Sequence, residues 1–295
     1  MCKNYFLVFL ITMAASAETL KCEHHKTAED DDWTIVLRKR TNPKRKFPKL
    51  KPSKQQQEQQ QTQWAPTDIE TTLEKELHLM NKMKISIEKL EKSQFFNAFL
   101  DQIHTPEASQ HFLKLTQSQS KVKMVIYGIG SIESFESPRL QLSLAILMKR
   151  KLDWIGEMEV FDPIISLTES KVMVELGCRV LLVNEHGRRE AVDPILFFMP
   201  HCEVELYDNL LKTNWRHDLL NKIILLGNSF EKYEHHRLVS KNQALDESRK
   251  HLLAIQEFTK EFEIKTLSDD YFRAFHGSSW HFFSVDCDTD LQLTC

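Results

Sequence analysis

Glycine is scarce in this chain of 295 residues, which has seven glycines, and its six cysteines lack the spacing of a recognised motif. The cysteines are irregularly spaced and none forms a CxxC pair, so the spacing argues against a zinc ribbon and against a disulfide framework. HExxH is absent as well, and we expect no metal site. The apolar run Tyr5–Ile11 is much shorter than the ~20 residues that cross a bilayer, so we also expect no contact with a membrane.

The first residues allow two interpretations of the localisation of the protein. Lys3, the run Tyr5–Ile11 and the small residues Ala14–Ala17 have the outline of a signal peptide, which would make the protein secretory. The run is short, however, and the acidic, basic and glutamine-rich stretches that follow are unusual for a secreted domain. Met13 is an alternative start of translation. We therefore expect a protein of the cytoplasm and nucleus, with secretion as the alternative.

Basic residues are concentrated in one segment. Arg38–Lys54 holds nine of the 39 and no acidic residue, so the rest of the chain carries 30 basic against 42 acidic residues. Such an acidic body offers a poor surface to phosphates, and we expect no strong nucleic-acid binding by the core. The basic segment is typical of a nuclear import signal or of a contact with nucleic acid. Because seven glutamines follow between Gln55 and Gln63, residues 1–64 are predicted to form a disordered arm.

Helices are predicted between residues 65 and 120. Thr67 and Glu70 have the spacing of a capping box at the start of the first helix. The second helix is predicted at Ser93–Ile103. Apolar residues recur at three- and four-residue steps along the first helix, and we expect this face to pack on the following domain, with a partner helix in a short coiled coil as the alternative. The face consists of Ile69, Leu73, Leu77, Met80, Ile87 and Leu90.

Short apolar strands alternate with helices from residue 121 to residue 284, ahead of a tail at 285–295. This alternation predicts an α/β fold with a doubly wound, mostly parallel, Rossmann-like sheet and helices on both faces. Near the end of the domain, Trp280, Phe282 and Phe283 are predicted to be core residues, with His281 on the opposite side. The predicted strands are Val122–Tyr127, Glu157–Phe161, Arg179–Val183, Ile195–Met199, Lys222–Leu226 and Phe262–Ile264.

The turn after the first strand is the first candidate ligand site. Gly128, Gly130 and Ser131 would let a phosphate or an adenosyl group approach the backbone. The dinucleotide fingerprint requires glycine where Glu133 stands, and an acidic residue about 20 positions further on. Asp162 instead lies 32 positions after Gly130. These departures disfavour a dinucleotide. A methyl-donor site tolerates them, and a tight turn that the fold requires is the third interpretation.

Polar residues also follow the later strands, at the edge where doubly wound folds bind ligands. Asn184 ends the third strand, and His201 and Cys202 follow the fourth. Neighbours on an extended backbone point to opposite faces, so this histidine and this cysteine are not expected to pair as a nucleophile and base. Tyr207 lies on the helix that comes next and is expected to line the same edge.

Asn228 and Ser229 follow the fifth strand. Ser229 lies in the segment GNSFE, where Glu231 replaces the second glycine of a nucleophile elbow, so a helix cap is favoured over hydrolase chemistry. The strand-end residues together predict a cleft for a ligand or a partner, with no catalytic residue assigned. Its members are Gly128, Gly130, Ser131, Asp162, Asn184, His201, Tyr207, Asn228 and Ser229.

Several long segments together resemble the sensitivity-to-red-light-reduced family of plants. They are YGIGSIESFESPRLQLSLAILMKR (Tyr127–Arg150), VNEHGRREAVDPILFFMPHCEVELYDNLL (Val183–Leu211), LLGNSFEKY (Leu225–Tyr233), SSWHFF (Ser278–Phe283) and the leader DDDWTIVLRKR (Asp30–Arg40). The Tyr5–Ile11 run is not part of the family pattern, which favours Met13 as the start.

The resemblance implies a cytoplasmic and nuclear regulator of phytochrome B red-light signalling and of the circadian clock, with protein partners in light signalling. No established enzymatic activity comes with it, and it names no cofactor. An enzyme is therefore the rival hypothesis. It would be a nucleotide- or S-adenosylmethionine-dependent transferase in which Asp162 holds ribose hydroxyls, while Asn184, His201 and Tyr207 line the reacting side.

Overall fold

The computed structural model describes residues 63–66, 68–117, 121–231, 233, 249–266, 269–291 and 293. The predicted arm at residues 1–64 lies outside the described residues except for its last two, and so do the signal-peptide outline, Met13 and the basic segment. Within the described part of the chain, no helix is both long and apolar enough to span a membrane.

The elements alternate as predicted after a group of helices. The helices are α1 (Leu73–Glu91), α2 (Gln94–Ile103), α3 (Pro106–Thr116), α4 (Glu136–Lys151), α5 (Leu167–Glu175), α6 (Val204–Thr213), α7 (His217–Leu220), α8 (Lys250–Ala254) and α9 (Asp269–Phe275), with a 3₁₀ turn at Gln256–Phe258. The strands are β1 (Val122–Tyr127), β2 (Ile155–Phe161), β3 (Cys178–Val180), β4 (Ile195–Met199), β5 (Ile223–Asn228), β6 (Thr259–Glu263) and β7 (Ser278–Phe283).

The seven strands form one sheet in the order β3-β2-β1-β4-β5-β7-β6. The first five strands are parallel, and β7 runs antiparallel to both of its neighbours. Helices cover both faces: α1–α5 and α9 bury one apolar cluster, and α6–α8 bury the other. The predicted fold class, a mostly parallel and Rossmann-like sheet with helices on both sides, is therefore confirmed.

The first helix begins later than the sequence predicted. Residues 68–72 are not helical, and α1 starts at Leu73 with Thr72 as its N-cap, whose hydroxyl accepts a hydrogen bond from the Lys75 N–H at 3.2 Å. Thr67 lies outside the described residues. The Glu70 N–H donates to the Asp68 carboxylate at 3.0 Å. This hydrogen bond forms a local turn that competes with helix formation. The predicted Thr67–Glu70 capping box was therefore wrong.

The apolar face predicted to pack on the domain does so only in part. Ile87 and Leu90 are buried, but Ile69, Leu73 and Leu77 are exposed, because α1 turns its Leu79–Leu90 side to the domain.

Two elements of the structure, α3 and β7, were not predicted from the sequence. α3 begins at Pro106, which lies in its first turn, where the missing N–H is harmless. β7 inserts between β5 and β6, and all six of its residues are buried. Its Trp280 contacts α2 and α3 through Phe99 and Phe112, with ring centroids 5.7 and 5.0 Å away. His281 is fully buried on the other face.

The face near β1, β2 and β3 carries charge where a core is usually apolar. The Glu159 carboxylate is fully buried and pairs with Lys123 at 2.9 Å, with Arg189 at 2.7 Å and with Arg179. Burial by itself would raise the pKa of Glu159, but hydrogen bonds from the three cations outweigh it and hold the pKa at about 2. The described crossover between β3 and β4 contains no helix. Arg189 of this crossover contributes its guanidinium to the buried Glu159 carboxylate.

Candidate functional site

The strand order reverses between β1 and β4. β2, which follows β1 in the sequence, lies on one side of this pair, and β5, which follows β4, lies on the other. In open α/β sheets, ligands bind in the crevice outside the carboxyl ends of the strands at such a switch point. The turn Gly128–Ser131 follows β1, and His201 follows β4 at the same edge. The topology thus brings two separately predicted groups of residues to one place.

Gly128 is needed because two chain segments approach each other closely here. It has a φ of +66°, and a Cβ at this position would lie 2.5 Å from the Cys202 Sγ. The Cys202 thiol is buried and donates to the Tyr127 carbonyl at 3.2 Å. Burial raises the pKa of Cys202 far above its ordinary value, so the thiolate required of a nucleophile is disfavoured. Cys202 therefore packs beneath the turn and supports it.

We predict that Gly128→Ala destabilises the protein by about 3 kcal/mol, because it combines a left-handed backbone with a steric clash. Cys202→Ala removes the sulfur, so the same glycine substitution in that background is expected to cost only about 1 kcal/mol. Urea unfolding of the four proteins in the double-mutant cycle measures this. Gly177→Ala is the matched control, since its φ is +86° and nothing lies within 4 Å of the added Cβ. Equal costs for Gly128→Ala in both backgrounds would contradict the proposed clash.

Asp162 holds the turn in place from the end of β2. Its Oδ2 accepts the Gly130 N–H at 2.8 Å, and its Oδ1 accepts the Ile164 N–H at 3.0 Å. The predicted neighbours Gly130 and Asp162 therefore do meet, through a bond within the protein. Each carboxylate oxygen has a second lone pair, so Asp162 can still accept from a ligand hydroxyl.

Glu169 is a central residue of the site that was not predicted from the sequence. It is 1% exposed, and its Oε1 accepts from the Ser131 hydroxyl at 2.7 Å and from the Glu133 N–H at 2.9 Å. Its Oε2 accepts the Ser166 N–H at 2.8 Å in a capping box at the start of α5. The spacing Ser166-x-x-Glu169 was a readable signal for that cap. An internal carboxylate thus binds donors that a phosphate would otherwise take.

His201 is held in an unusual backbone conformation at the end of β4. It has a φ of +58°, and its N–H donates to the Asn228 Oδ1 at 2.7 Å. Its ring Nε2 lies 3.2 Å from the His276 carbonyl and its Nδ1 lies 3.4 Å from the Gln141 Nε2. These contacts require a proton on Nε2 and a lone pair on Nδ1. The ring is therefore oriented by two residues, Gln141 and His276, that were not predicted as part of the site.

Tyr207 and Asn228 brace the strand ends. The Tyr207 hydroxyl is fully buried, donates to the Met199 carbonyl and accepts the Asn228 N–H at 2.9 Å. Burial raises the pKa of Tyr207 well above its ordinary value. The Asn228 amide donates to the Cys202 carbonyl at 3.2 Å and to the Tyr233 hydroxyl at 2.8 Å. Both residues lie at the predicted edge, and their hydrogen bonds connect β4, β5 and α6.

The last two predicted residues have different surroundings. Ser229 is buried, and its N–H donates to the Gly277 carbonyl at 2.8 Å, which ties β5 to the turn before β7. The helix that Ser229 was predicted to cap lies mostly outside the described residues. Asn184 accepts the His186 N–H at 2.9 Å within its own loop after β3.

The arrangement is a rigid polar frame in which protein groups hold one another. Among the described residues, no three or more His, Cys, Asp or Glu side chains are grouped to hold a metal ion. At this edge His201 and His276 are exposed, with their ring centroids 4.7 Å apart, and Asp162 is 7% exposed. Within this described frame the Cys202 thiol and the Tyr207 hydroxyl are both buried, and burial raises the pKa of each.

Comparison with known proteins gives a consistent family signal. The SRR1 domain model matches residues 88–282. Protein SENSITIVITY TO RED LIGHT REDUCED 1 from Arabidopsis thaliana is 53% identical over 231 residues, which is 78% of this chain and 83% of that protein. SRR1-like protein from Mus musculus is 39% identical over 152 residues, which is 50% of this chain and 60% of that protein.

Solved structures give a weaker signal that concerns the architecture alone. A protein from Klebsiella pneumoniae, provisionally described as an O-methyltransferase, has a TM-score of 0.37 at 10% identity and covers 70% of this chain and 90% of its own. The plantazolicin methyltransferase BpumL in complex with SAH has a TM-score of 0.29 at 12% identity, with 72% and 98% covered. These values are too low to support an argument about ligand or reaction.

Proposed function

Because the chain belongs to the SRR1 domain family, we propose that it is a regulator of red-light signalling. The observation that supports this is the 53% identity to the Arabidopsis protein SENSITIVITY TO RED LIGHT REDUCED 1 over 83% of that protein's length. The match extends through the family domain at residues 88–282, which includes the strand-end turns after β1, β4 and β5. A shared role is therefore proposed for the whole domain.

The finer role that we propose is regulation of phytochrome B signalling and of the circadian clock through protein partners. The candidate cleft would bind such a partner or a small ligand at Gly128–Ser131, Asp162 and His201. We propose that the protein acts in the cytoplasm and nucleus. The basic segment Arg38–Lys54 supports nuclear import.

Complementation in Arabidopsis tests this proposal. Seedlings that lack the Arabidopsis relative and express this chain are expected to recover normal inhibition of stem elongation under red light. The free-running period of leaf movement is expected to return to normal in these seedlings. In a background without phytochrome B, expression of the chain is expected to give no recovery of the red-light response. Darkness and blue light are the controls, since a general growth effect would change stem length there too. Failure of a stably expressed protein to restore the red-light response would contradict the proposal.

A second candidate function, an adenosyl-dependent transferase, is favoured by one observation. Asp162 stands at the end of β2 beside the Gly130 turn and keeps lone pairs for ribose hydroxyls. Glu169 occupies donors of the same turn, and Glu133 adds a further acidic side chain nearby. Two carboxylates at this point repel phosphate. Of the two ligand classes considered, S-adenosylmethionine is therefore favoured over a nucleotide with phosphates.

A thermal-shift screen separates the two ligand classes. S-adenosylmethionine, S-adenosylhomocysteine and adenosine are expected to raise the melting temperature of the purified full chain, while ATP and NAD⁺ are expected not to. Asp162→Ala is expected to abolish the adenosyl shift, and Glu157→Gln, on β2 and away from the turn, is the control. If none of these compounds stabilises the folded protein, the transferase candidate is rejected and the signalling proposal is unaffected.

A further inference from the structure

The outer edge of the sheet at β6 presents backbone groups that pair with no strand. β6 pairs with β7 on one side, and among the described residues no strand lies on its other side. The Ile264 N–H donates to the Ser278 carbonyl, and the Ser284 N–H donates to the Phe258 carbonyl, both at 2.9 Å. In an antiparallel ladder only every second residue bonds to the partner strand. These two bonds therefore turn the N–H and C=O groups of residues 259, 261 and 263 outward, away from β7.

The protein itself already uses two of the outward groups. The Glu263 carbonyl accepts from the Gln102 Nε2 at 2.6 Å, and the Thr259 N–H donates to the Gln256 carbonyl at the end of the 3₁₀ turn. The other outward groups have no hydrogen-bond partner among the described residues, and they are the Thr259 carbonyl, the N–H and carbonyl of Glu261, and the Glu263 N–H. Such a row of donors and acceptors is the template for one more extended chain.

A cavity of about 370 Å³ adjoins this edge on the side of α2 and α3. Its apolar lining includes Phe99, Phe262 and Ile264, and the exposed carboxylates of Asp101 and Glu107 also line it. Side chains at matching positions of neighbouring strands lie on the same face of a sheet. A residue placed beside Phe262 on an added strand therefore projects toward this cavity, which has room for a large apolar side chain.

The charge along the edge favours a basic partner. The Glu261 and Glu263 side chains lie on the face opposite Phe262, since side chains alternate along a strand. Self-association is disfavoured, because pairing centred on the open groups places Glu261 opposite Glu261 or Glu263 of the other copy. Five carboxylates lie on or beside the edge, against two ammonium groups: they belong to Asp101, Glu107, Glu257, Glu261 and Glu263, and to Lys260 and Lys265.

We propose that the β6 edge binds an extended segment of a partner protein in which basic and apolar residues alternate. The segment adds one strand to the sheet through the open groups of Thr259, Glu261 and Glu263. Its apolar residues face the cavity, and its basic residues face Glu261 and Glu263. The site is separate from the candidate cleft, because β5 and β7 lie between β4 and β6. The proposal therefore does not depend on what the cleft binds.

Fluorescence anisotropy of the full chain with a labelled peptide, Arg-Val-Arg-Leu-Arg-Val-Arg, tests the proposal. The peptide reads the same in both directions, so it can add to the edge in either strand direction. We expect saturable binding in the micromolar range. Two control peptides are expected to bind at least about tenfold more weakly: Glu-Val-Glu-Leu-Glu-Val-Glu, and Arg-Arg-Val-Leu-Val-Arg-Arg, which lacks the alternation. Absence of binding at several hundred micromolar, or equal binding of the non-alternating peptide, overturns the proposal.

Two substitutions at one position separate backbone pairing from charge. Glu263→Pro removes an outward N–H that takes no part in the β6–β7 ladder, and proline is tolerated on that side of an edge strand. It is expected to weaken peptide binding at least about tenfold, because a hydrogen bond and a charge are both lost. Glu263→Gln keeps the N–H and is expected to weaken binding at most about threefold. Circular dichroism verifies that both variants are folded, and equal binding by the two variants overturns the proposed pairing.

Amide-proton exchange followed by NMR gives a readout that is specific to strand addition. On saturation with the alternating peptide, exchange at the Glu261 and Glu263 amides is expected to slow at least about tenfold, because their open N–H groups become bonded. The Lys260 and Phe262 amides already face β7 and are expected to change little. A bound peptide that leaves Glu261 and Glu263 unprotected overturns the proposal, even if the anisotropy rises.

Discussion

Glu159→Gln is expected to lower the free energy of unfolding by about 2 kcal/mol at neutral pH, because it removes a buried charge from three cationic partners. Lys123 is 37% exposed and Arg179 62%, so part of the electrostatic gain is screened by solvent. Arg189 is 19% exposed and keeps Glu185 as a partner at 2.6 Å. Because the partners are partly exposed, the expected loss of free energy of unfolding is smaller than the cost of breaking a completely buried ion pair.

The effect is expected to depend on pH in a defined direction. The pKa of Glu159 is about 2 in the folded protein, against an ordinary value of 4.5. A carboxyl whose pKa is depressed on folding contributes its full stability above the unfolded value, and this contribution is lost as pH falls through the folded value. The difference between wild type and Glu159→Gln is therefore expected to shrink to less than half by about pH 3.

Urea unfolding of wild type and variant at both pH values measures this. Glu157→Gln is the matched control on the same strand, since Glu157 is 75% exposed and lies 3.8 Å from Lys123. It is expected to change stability by less than about 0.5 kcal/mol. A Glu159→Gln effect that stays constant between neutral and acidic pH would falsify the assignment of this stability to the carboxylate charge.

Trp280→Ala is expected to have the largest effect of the single substitutions considered, about 4 kcal/mol, because it empties the centre of the larger apolar cluster. The Trp280 ring is fully buried and makes a T-shaped contact with Phe112 at 5.0 Å and a tilted contact with Phe99 at 5.7 Å. Its indole N–H has no hydrogen-bond partner among the described residues. Trp280→Phe is therefore expected to cost clearly less than Trp280→Ala.

A double-mutant cycle of Trp280→Ala with Phe112→Ala measures the contact between β7 and α3, with an expected coupling of about 1 kcal/mol. The unfolding transition is expected to remain a single step if α1–α3 and the sheet share this core. Phe272→Ala, at a 52% exposed ring, is the control and is expected to cost under about 1 kcal/mol. A Trp280→Ala cost as small as that of the control would show that α3 packs on the sheet only loosely.

The class of fold was readable from the sequence because parallel strands that are buried on both faces must be apolar throughout. Val122–Tyr127 and Ile195–Met199 have that composition, and both strands were predicted with the bounds that the structure has. SSWHFF was harder, since serine and histidine interrupt its apolar pattern. The position of β7 between β5 and β6 depends on pairing partners far away in the chain, and no local pattern carries that information.

The strand-end residues show the same division between what local sequence determines and what tertiary structure decides. Local sequence determined that Gly128, Asp162 and His201 follow strands and that Asn228 ends one. The segments around these residues also indicated the family to which the chain belongs. Tertiary structure decided what their polar groups bind, and it brought in Glu169, Gln141 and His276 from distant elements. A hydrogen bond between residues 38 or 60 positions apart depends on how the helices pack against the sheet. That packing leaves no periodic trace in the sequence, so the free and occupied donors of the site became visible only in the folded chain.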